Sequence, residues 1–243
     1  MAVAEYLRRV FPGTAEEYFR RAEEAMLAGR RLFVVTANPE IIMAAERDGT
    51  ARELLLSGKT EVIPDGVSLV KAMGFFHMPA AERITGVDLA DKLLQSAGAH
   101  GKSVYLLGAK EEVVSALAEK LRAQYPGMKL RWHNGYDGDK DQLMGEAAAL
   151  APDLVLVGLG VPAQDILLYR HLEKFQKGVL MGVGGSFDVL SGMKRRAPSF
   201  FIKTNTEWLY RILREPSRLG RFYRSNVRFL GRVRKEAKTA LKP

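Results

Sequence analysis

The stretch "TEVIPDGVS", residues 60–68, sets a single acid at the end of a short apolar run. Pro64 stops the run, and Asp65 stands at its mouth with Gly66 and a helical pattern behind it. A carboxylate there can cap the following helix, or it can take a proton from a reacting hydroxyl. Other segments end in the same way. "TANPE" carries Thr36 and Asn38, "LGAK" carries Gly108, "GLGVPAQD" carries Gly158 and Gln164, and "GVGGSFD" carries Gly184, Gly185, Ser186 and Asp188. Short polar side chains of this kind can hydrogen-bond a polar ligand. Glycine amides at a helix start suit a phosphate. Each segment also fits ordinary turn chemistry, since strand-to-helix turns favour Gly, Asn and Asp.

Six β-branched runs, 31–37, 60–64, 103–109, 129–133, 153–160 and 178–184, alternate with helical patterns at 14–29, 39–48, 51–57, 66–75, 88–99, 110–124, 140–150, 162–176 and 186–192. Strands this continuously apolar, separated by helices, predict a Rossmann-like, mostly parallel six-stranded sheet with helices on both faces. Ligands of such folds gather outside the carboxyl ends of the strands. All the segments named above fall there.

The chain has 243 residues and a formal net charge of +9. Twelve of its basic and three of its acidic residues lie at or beyond Pro198, so the body is neutral and the tail carries the charge. We therefore expect a catalytic domain over 1–197 and a basic, amphipathic helical appendage over 198–243. Arginines at 211, 214, 218, 221, 224, 228 and 232 recur at helical spacing, with Pro216 interrupting the run. Such a segment suits an anionic membrane surface, or is a solvated helix packed on the body. Nucleic acid is not expected, because no recognised binding module accompanies the charge. The chain has no cysteine, hence no disulfide or thiolate metal site. No apolar run is long enough to span a bilayer, and the N-terminus lacks a signal-peptide core. A cytoplasmic, peripheral location is expected, and a homo-oligomer fits a parallel-sheet body.

Several motifs point to other chemistries and fall short of them. "GLGVPA" matches the dinucleotide fingerprint, but the ribose-binding acid about 20 residues on is missing. "YDGDKD" contains an Asp-x-Asp, with Asp139 placed to cap the next helix. "GGSFD" has Asp188 where a nucleophile elbow requires Gly, so Ser186 reads as a helix cap or phosphate ligand. The four histidines show no metal-ligand spacing.

The segments "TANPEII", "VIPDGVSLV", "ERITGVDL", "VYLLGAK", "LVLVGLGVPAQD" and "GVGGSFDVLSGMKRRAP…EWLYRILREPSR" together resemble the WecG/TagA/CpsF family of bacterial glycosyltransferases, over about residues 32–221. The chain departs from the family pattern in lacking a "GVPID" hairpin and in reading Thr36-Ala37-Asn38 where T-P-N is usual. The resemblance implies inverting, metal-independent transfer of N-acetylmannosamine from UDP to a polyprenyl-diphosphate-linked GlcNAc, with no cofactor. Relatives that use N-acetylmannosaminuronic acid or glucose-type donors leave the sugar open, and a non-catalytic lipid- or nucleic-acid-binding protein is the alternative class. On this reading Asp65 is the general base, with Glu40 and Asp165 as rival carboxylates. Arg83 meets the leaving diphosphate together with the amides of Gly184, Gly185 and Ser186. Thr36, Asn38 and Gln164 hold the sugar, and Asp188 the nucleotide end. Arg214, Arg221 and Arg224 close over the site or hold the lipid diphosphate.

Overall fold

A computed structural model describes residues 3–240 and, for Lys203, Arg218, Arg221 and Ala240, the backbone alone. The six expected strands are β1 (Leu32–Ala37), β2 (Thr60–Pro64), β3 (Ser103–Gly108), β4 (Lys129–His133), β5 (Leu154–Gly158) and β6 (Val179–Gly182). They form one sheet in the order β2-β1-β6-β5-β3-β4, and every pairing is parallel. Parallel neighbours need crossover connections, and helices supply them. α1 (Val3–Leu7) and α2 (Ala15–Leu27) precede β1; the crossovers are α3 (Pro39–Ala45), α4 (Gly49–Leu56), α5 (Val67–Phe75), α6 (Gly86–Ala99), α7 (Glu111–Gln124), α8 (Lys140–Ala149) and α9 (Ala163–His171); α10 (Ser186–Leu190) follows β6. The tail adds α11 (Ser199–Lys203), α12 (Glu207–Arg214), α13 (Arg218–Phe222), a π-helical turn at Tyr223–Val227 and α14 (Arg228–Ala240).

Alternation along each strand sends successive side chains to opposite faces. Phe33, Val35 and Ala37 of β1 join one core with α1, α3, α4, α5, α8 and α9. Val34 joins the other, with α2, α6 and α7. Both faces are covered, which is why the strands read as unbroken apolar runs.

Helix boundaries follow local capping. Thr14 and Glu17 form a reciprocal capping box on α2. The single helix expected over 39–48 ends at Ala45, because Asp48 turns outward and caps α4. Asp139 caps α8 through the Asp141 and Gln142 amides, which accounts for that acid in "YDGDKD". The tail does not stand apart from the body. Phe229 and Val233 of α14 lie within the first core, Ala237 is also buried, and α14 packs on α1, α3 and α5. Arg232 pairs with Glu46 at 2.7 Å.

Candidate active site

A cleft of about 340 Å³ opens outside the carboxyl ends of β2, β1, β6 and β5, and the tail supplies its far wall. The rim is built in the order of the sheet. From β2 comes Asp65, half-buried. It is not a helix cap: the N-cap of α5 is Gly66, which makes no side-chain cap bond. The Asp65 amide donates to the Ala37 carbonyl at 2.9 Å, tying the β2 end to the β1 end. Its carboxylate accepts from the Gly86 amide, at the start of α6, at 3.4 Å. Removal from water raises the pKa of Asp65 above the ordinary carboxylate value. The guanidiniums of Arg83 and Arg211 oppose that shift, Glu207 adds to it, and the Gly86 amide opposes it. A carboxylate with enhanced proton affinity at the wall of a polar cleft can act as a general base.

From β1 come Thr36 and Asn38. Thr36 is buried, and its hydroxyl donates to the Gly182 carbonyl at 3.0 Å. Asn38 caps α3 through its amide oxygen, which accepts from the Glu40 and Ile41 amides; among the described residues its amide nitrogen has no partner. Gln164, 1% exposed, clamps two loops: its amide oxygen accepts from Gly160 at 3.1 Å and Gly184 at 2.9 Å. Ser186 is the first residue of α10 and not its cap; its hydroxyl donates to the Val183 carbonyl. Of the three amides expected to meet a phosphate, that of Gly184 is bonded to Gln164 and that of Ser186 to Val183. Among the described residues, only the Gly185 amide of the three is left without a partner in the fold.

Most of the remaining sequence-derived candidates lie outside the cleft lining. Gly108 and Gly158 face each other across β3 and β5. Gly108 has φ +120, and a Cβ there would sit 2.6 Å from the Gly158 backbone. These glycines permit two strand ends to touch; neither lines the cleft. Asp188 pairs with Lys194 at 3.2 Å, and Lys194 with Glu215 at 2.9 Å, outside the lining. Arg214 and Arg224 are exposed on the tail and do not line the cleft either, and the Arg221 side chain lies outside the described residues. Of the rival carboxylates, Glu40 lines the cleft. Asp165 is buried behind it, and its Oδ1 is without a partner among the described residues. Burial pushes Asp165 up to about 7, against hydrogen bonds from Gln164 and its own backbone.

The tail is expected from sequence to close over the site through Arg214, Arg221 and Arg224, but other residues make its wall, and these are not legible in the sequence. It brings Asn205, Glu207, Trp208, Arg211, Ile212, Phe222 and Asn226 to the cleft. Trp208 and Phe222 stack at 4.6 Å, their rings nearly parallel. Ser68 of α5 donates to Asn226 at 3.0 Å across the opening. Glu207, 2% exposed, pairs with Arg83 at 3.0 Å and Arg211 at 2.8 Å. Burial pushes Glu207 up, but these two cations outweigh it and hold it below the ordinary range. In sequence Glu207 passes for a helix-start acid favoured by the dipole, and Arg211 for one of seven stripe arginines. Spacing does not say which of the seven faces the body.

A doubly wound, all-parallel sheet with a polar cleft outside its strand ends defines an α/β protein that takes its ligand at a topological switch point. Residues 7–243 match the family described as "Glycosyl transferase WecG/TagA/CpsF family", and the chain belongs to it. It is 36% identical over 212 residues to the N-acetylglucosaminyldiphosphoundecaprenol N-acetyl-beta-D-mannosaminyltransferase of Bacillus spizizenii, covering 87% of this chain and 82% of that one. Against the protein of the same name from Staphylococcus aureus strain MW2 the identity is 39% over 191 residues, 78% of this chain and 75% of that one. The chain is therefore a glycosyltransferase.

Proposed function

We propose that the protein transfers N-acetylmannosamine from UDP to the 4-hydroxyl of GlcNAc carried on undecaprenyl diphosphate, with inversion at the anomeric carbon. The carrying observation is Asp65: a carboxylate of raised proton affinity in a cleft that also holds Arg83 and Arg211. The names of the relatives supply the transferred sugar and the lipid-linked acceptor; UDP as the carrier and the 4-hydroxyl are part of the proposal. The acceptor oxygen attacks the anomeric carbon on the face opposite UDP. Asp65 takes the hydroxyl proton as that bond forms, and the bond to the UDP oxygen breaks. Arg83, Arg211 and the Gly185 amide meet the charge that develops on the departing diphosphate, in place of a metal ion. The Asn38 amide nitrogen contacts the donor sugar, while Thr36 and Gln164 hold the loops that shape its pocket.

The lipid acceptor brings the cleft to an anionic membrane surface on the cytoplasmic side. No helix among the described residues is long and apolar enough to cross a membrane. The tail exposes Phe200, Leu209, Leu213, Leu219 and Tyr223, with Arg214 and Arg224 among them. We assign this surface to lipid contact and the two arginines to the phosphates there. The test is UDP release from UDP-N-acetylmannosamine with a short-chain GlcNAc-diphosphate lipid, EDTA present. Release that requires both substrates supports the reading, and release with a different UDP-sugar changes the donor. Silence with every donor overturns the reading.

A further inference from the structure

A buried carboxylate is out of place in a cleft that must accept a diphosphate, since it costs desolvation and repels the ligand. Glu207 is such a group. Its Oε2 accepts from Arg83 Nη2 at 3.0 Å and its Oε1 from Arg211 Nη2 at 2.8 Å. Arg83 in turn donates through Nε to the carbonyl oxygen of Asp65 at 2.8 Å. Among the described residues, the carboxylate of Asp65 has only the long bond from Gly86. The Asp65 peptide is thus held from two sides, by Ala37 of β1 and by a chain through Arg83 that starts in the tail.

We propose that Glu207 is a positioning residue for the transfer, holding Arg83 against the Asp65 peptide and Arg211 at the cleft wall. The inference rests on Asp65 acting as the base. The charged groups acting on Asp65 are Arg83 from the loop before α6, and Arg211 and Glu207 from α12, with the Gly86 amide at the head of α6. Glu40 of α3 lines the same cleft. The single negative charge of Glu207 offsets two cations, so that Asp65 keeps its affinity for the acceptor proton and the arginines keep enough residual charge for the diphosphate. Without that charge Asp65 ionises at lower pH and is a weaker base, while the arginines bind UDP more tightly.

Glu207→Gln separates these roles because it keeps the shape and loses the charge. Turnover should fall roughly 10–100-fold, the acid limb of its pH profile should move down by about 0.5–1 unit, and UDP should bind several-fold tighter. Glu207→Asp keeps the charge, so its acid limb should stay in place while turnover falls through lost reach. An acid limb unmoved in Glu207→Gln, with UDP binding unchanged, would overturn the proposal and leave a merely structural ion pair. If Glu207→Gln does not fold, an acid limb displaced in Glu207→Asp overturns it equally. Failure of the base reading shows separately, as undiminished turnover in Asp65→Asn, and leaves the UDP-affinity result interpretable.

Discussion

The two walls of the cleft are made by different rules. On the sheet side each side chain is delivered by a strand end, and the strands around it are locked by parallel pairing and two cores. On the tail side short helices interrupted near Pro216 bring Glu207, Arg211 and Asn226 to the same space, and little there is buried until α14. The sheet wall is fixed by strand pairing and buried cores, whereas the tail wall meets it through a few polar contacts, Arg83 with Glu207 and Ser68 with Asn226. On the function proposed above, chemistry and scaffold sit on one side, with charge balance and lipid contact on the other.

The sharpest way to test that division is Asp65→Asn. Turnover should fall by ~10²–10⁴-fold, while UDP binding, measured by calorimetry, stays within a few-fold of wild type. Equal losses in both would make Asp65 a binding group and dissolve the distinction between the walls.

A nearly equal effect is expected on stability from the far end of the tail. Phe229 of α14 is fully buried in the first core, so Phe229→Ala should cost about 3–5 kcal/mol in chemical denaturation. Phe222→Ala, at the cleft, should cost far less and act on substrate. A small loss at Phe229 would mean that α14 is an ornament on the body and not part of it.

Asp165 tests the floor behind the sheet wall. Its folded-state pKa, about 7, lies above the ~4 of an unfolded carboxylate. Between those values the folded protein holds a proton that the unfolded chain releases, so stability falls as pH rises through that window and levels off above it. Asp165→Asn removes the dependence. Its advantage over wild type should grow by roughly 2–4 kcal/mol from pH 4 to pH 8, read as a widening gap between denaturation midpoints. A constant gap would show that Asp165 stays ionised.

The difference between the walls also explains what sequence could and could not reveal. A strand followed by Pro-Asp-Gly, or by Thr-x-Asn-Pro, declares both its direction and the residue at its mouth, so Asp65, Asn38, Thr36 and Gln164 were legible from neighbours in the chain. Which of their atoms remain free was not. The hydroxyl of Thr36 and the amide oxygen of Gln164 are spent on Gly182, Gly160 and Gly184, contacts that join distant strands. Gly108 and Gly158 drew attention as rim glycines, yet the need they serve is steric and visible only once β3 and β5 are side by side. Glu207 and Arg211 had ordinary local explanations, and nothing near them in the chain points to Arg83, 124 residues from Glu207.

The smallest expected effect concerns the outer face of the tail, and it separates lipid contact from catalysis. Leu209 and Leu213 stand one turn apart on α12, 38% and 67% exposed, while Arg211 between them turns to Glu207. Adjacent positions of one short helix thus serve the cleft and the outside. Leu213 is mostly exposed and Leu209 more than a third exposed, so replacing both with Gln should cost at most about 1 kcal/mol of stability. Inserted at a bilayer surface they contribute roughly 1–3 kcal/mol together, so Leu209→Gln/Leu213→Gln should weaken binding to anionic vesicles by about tenfold. Turnover of a short-chain soluble acceptor should be kept, because Arg211 is untouched. Vesicle binding unchanged in the double variant would move the lipid contact off α12. Soluble-acceptor turnover lost along with vesicle binding would mean that α12 cannot serve its two faces independently.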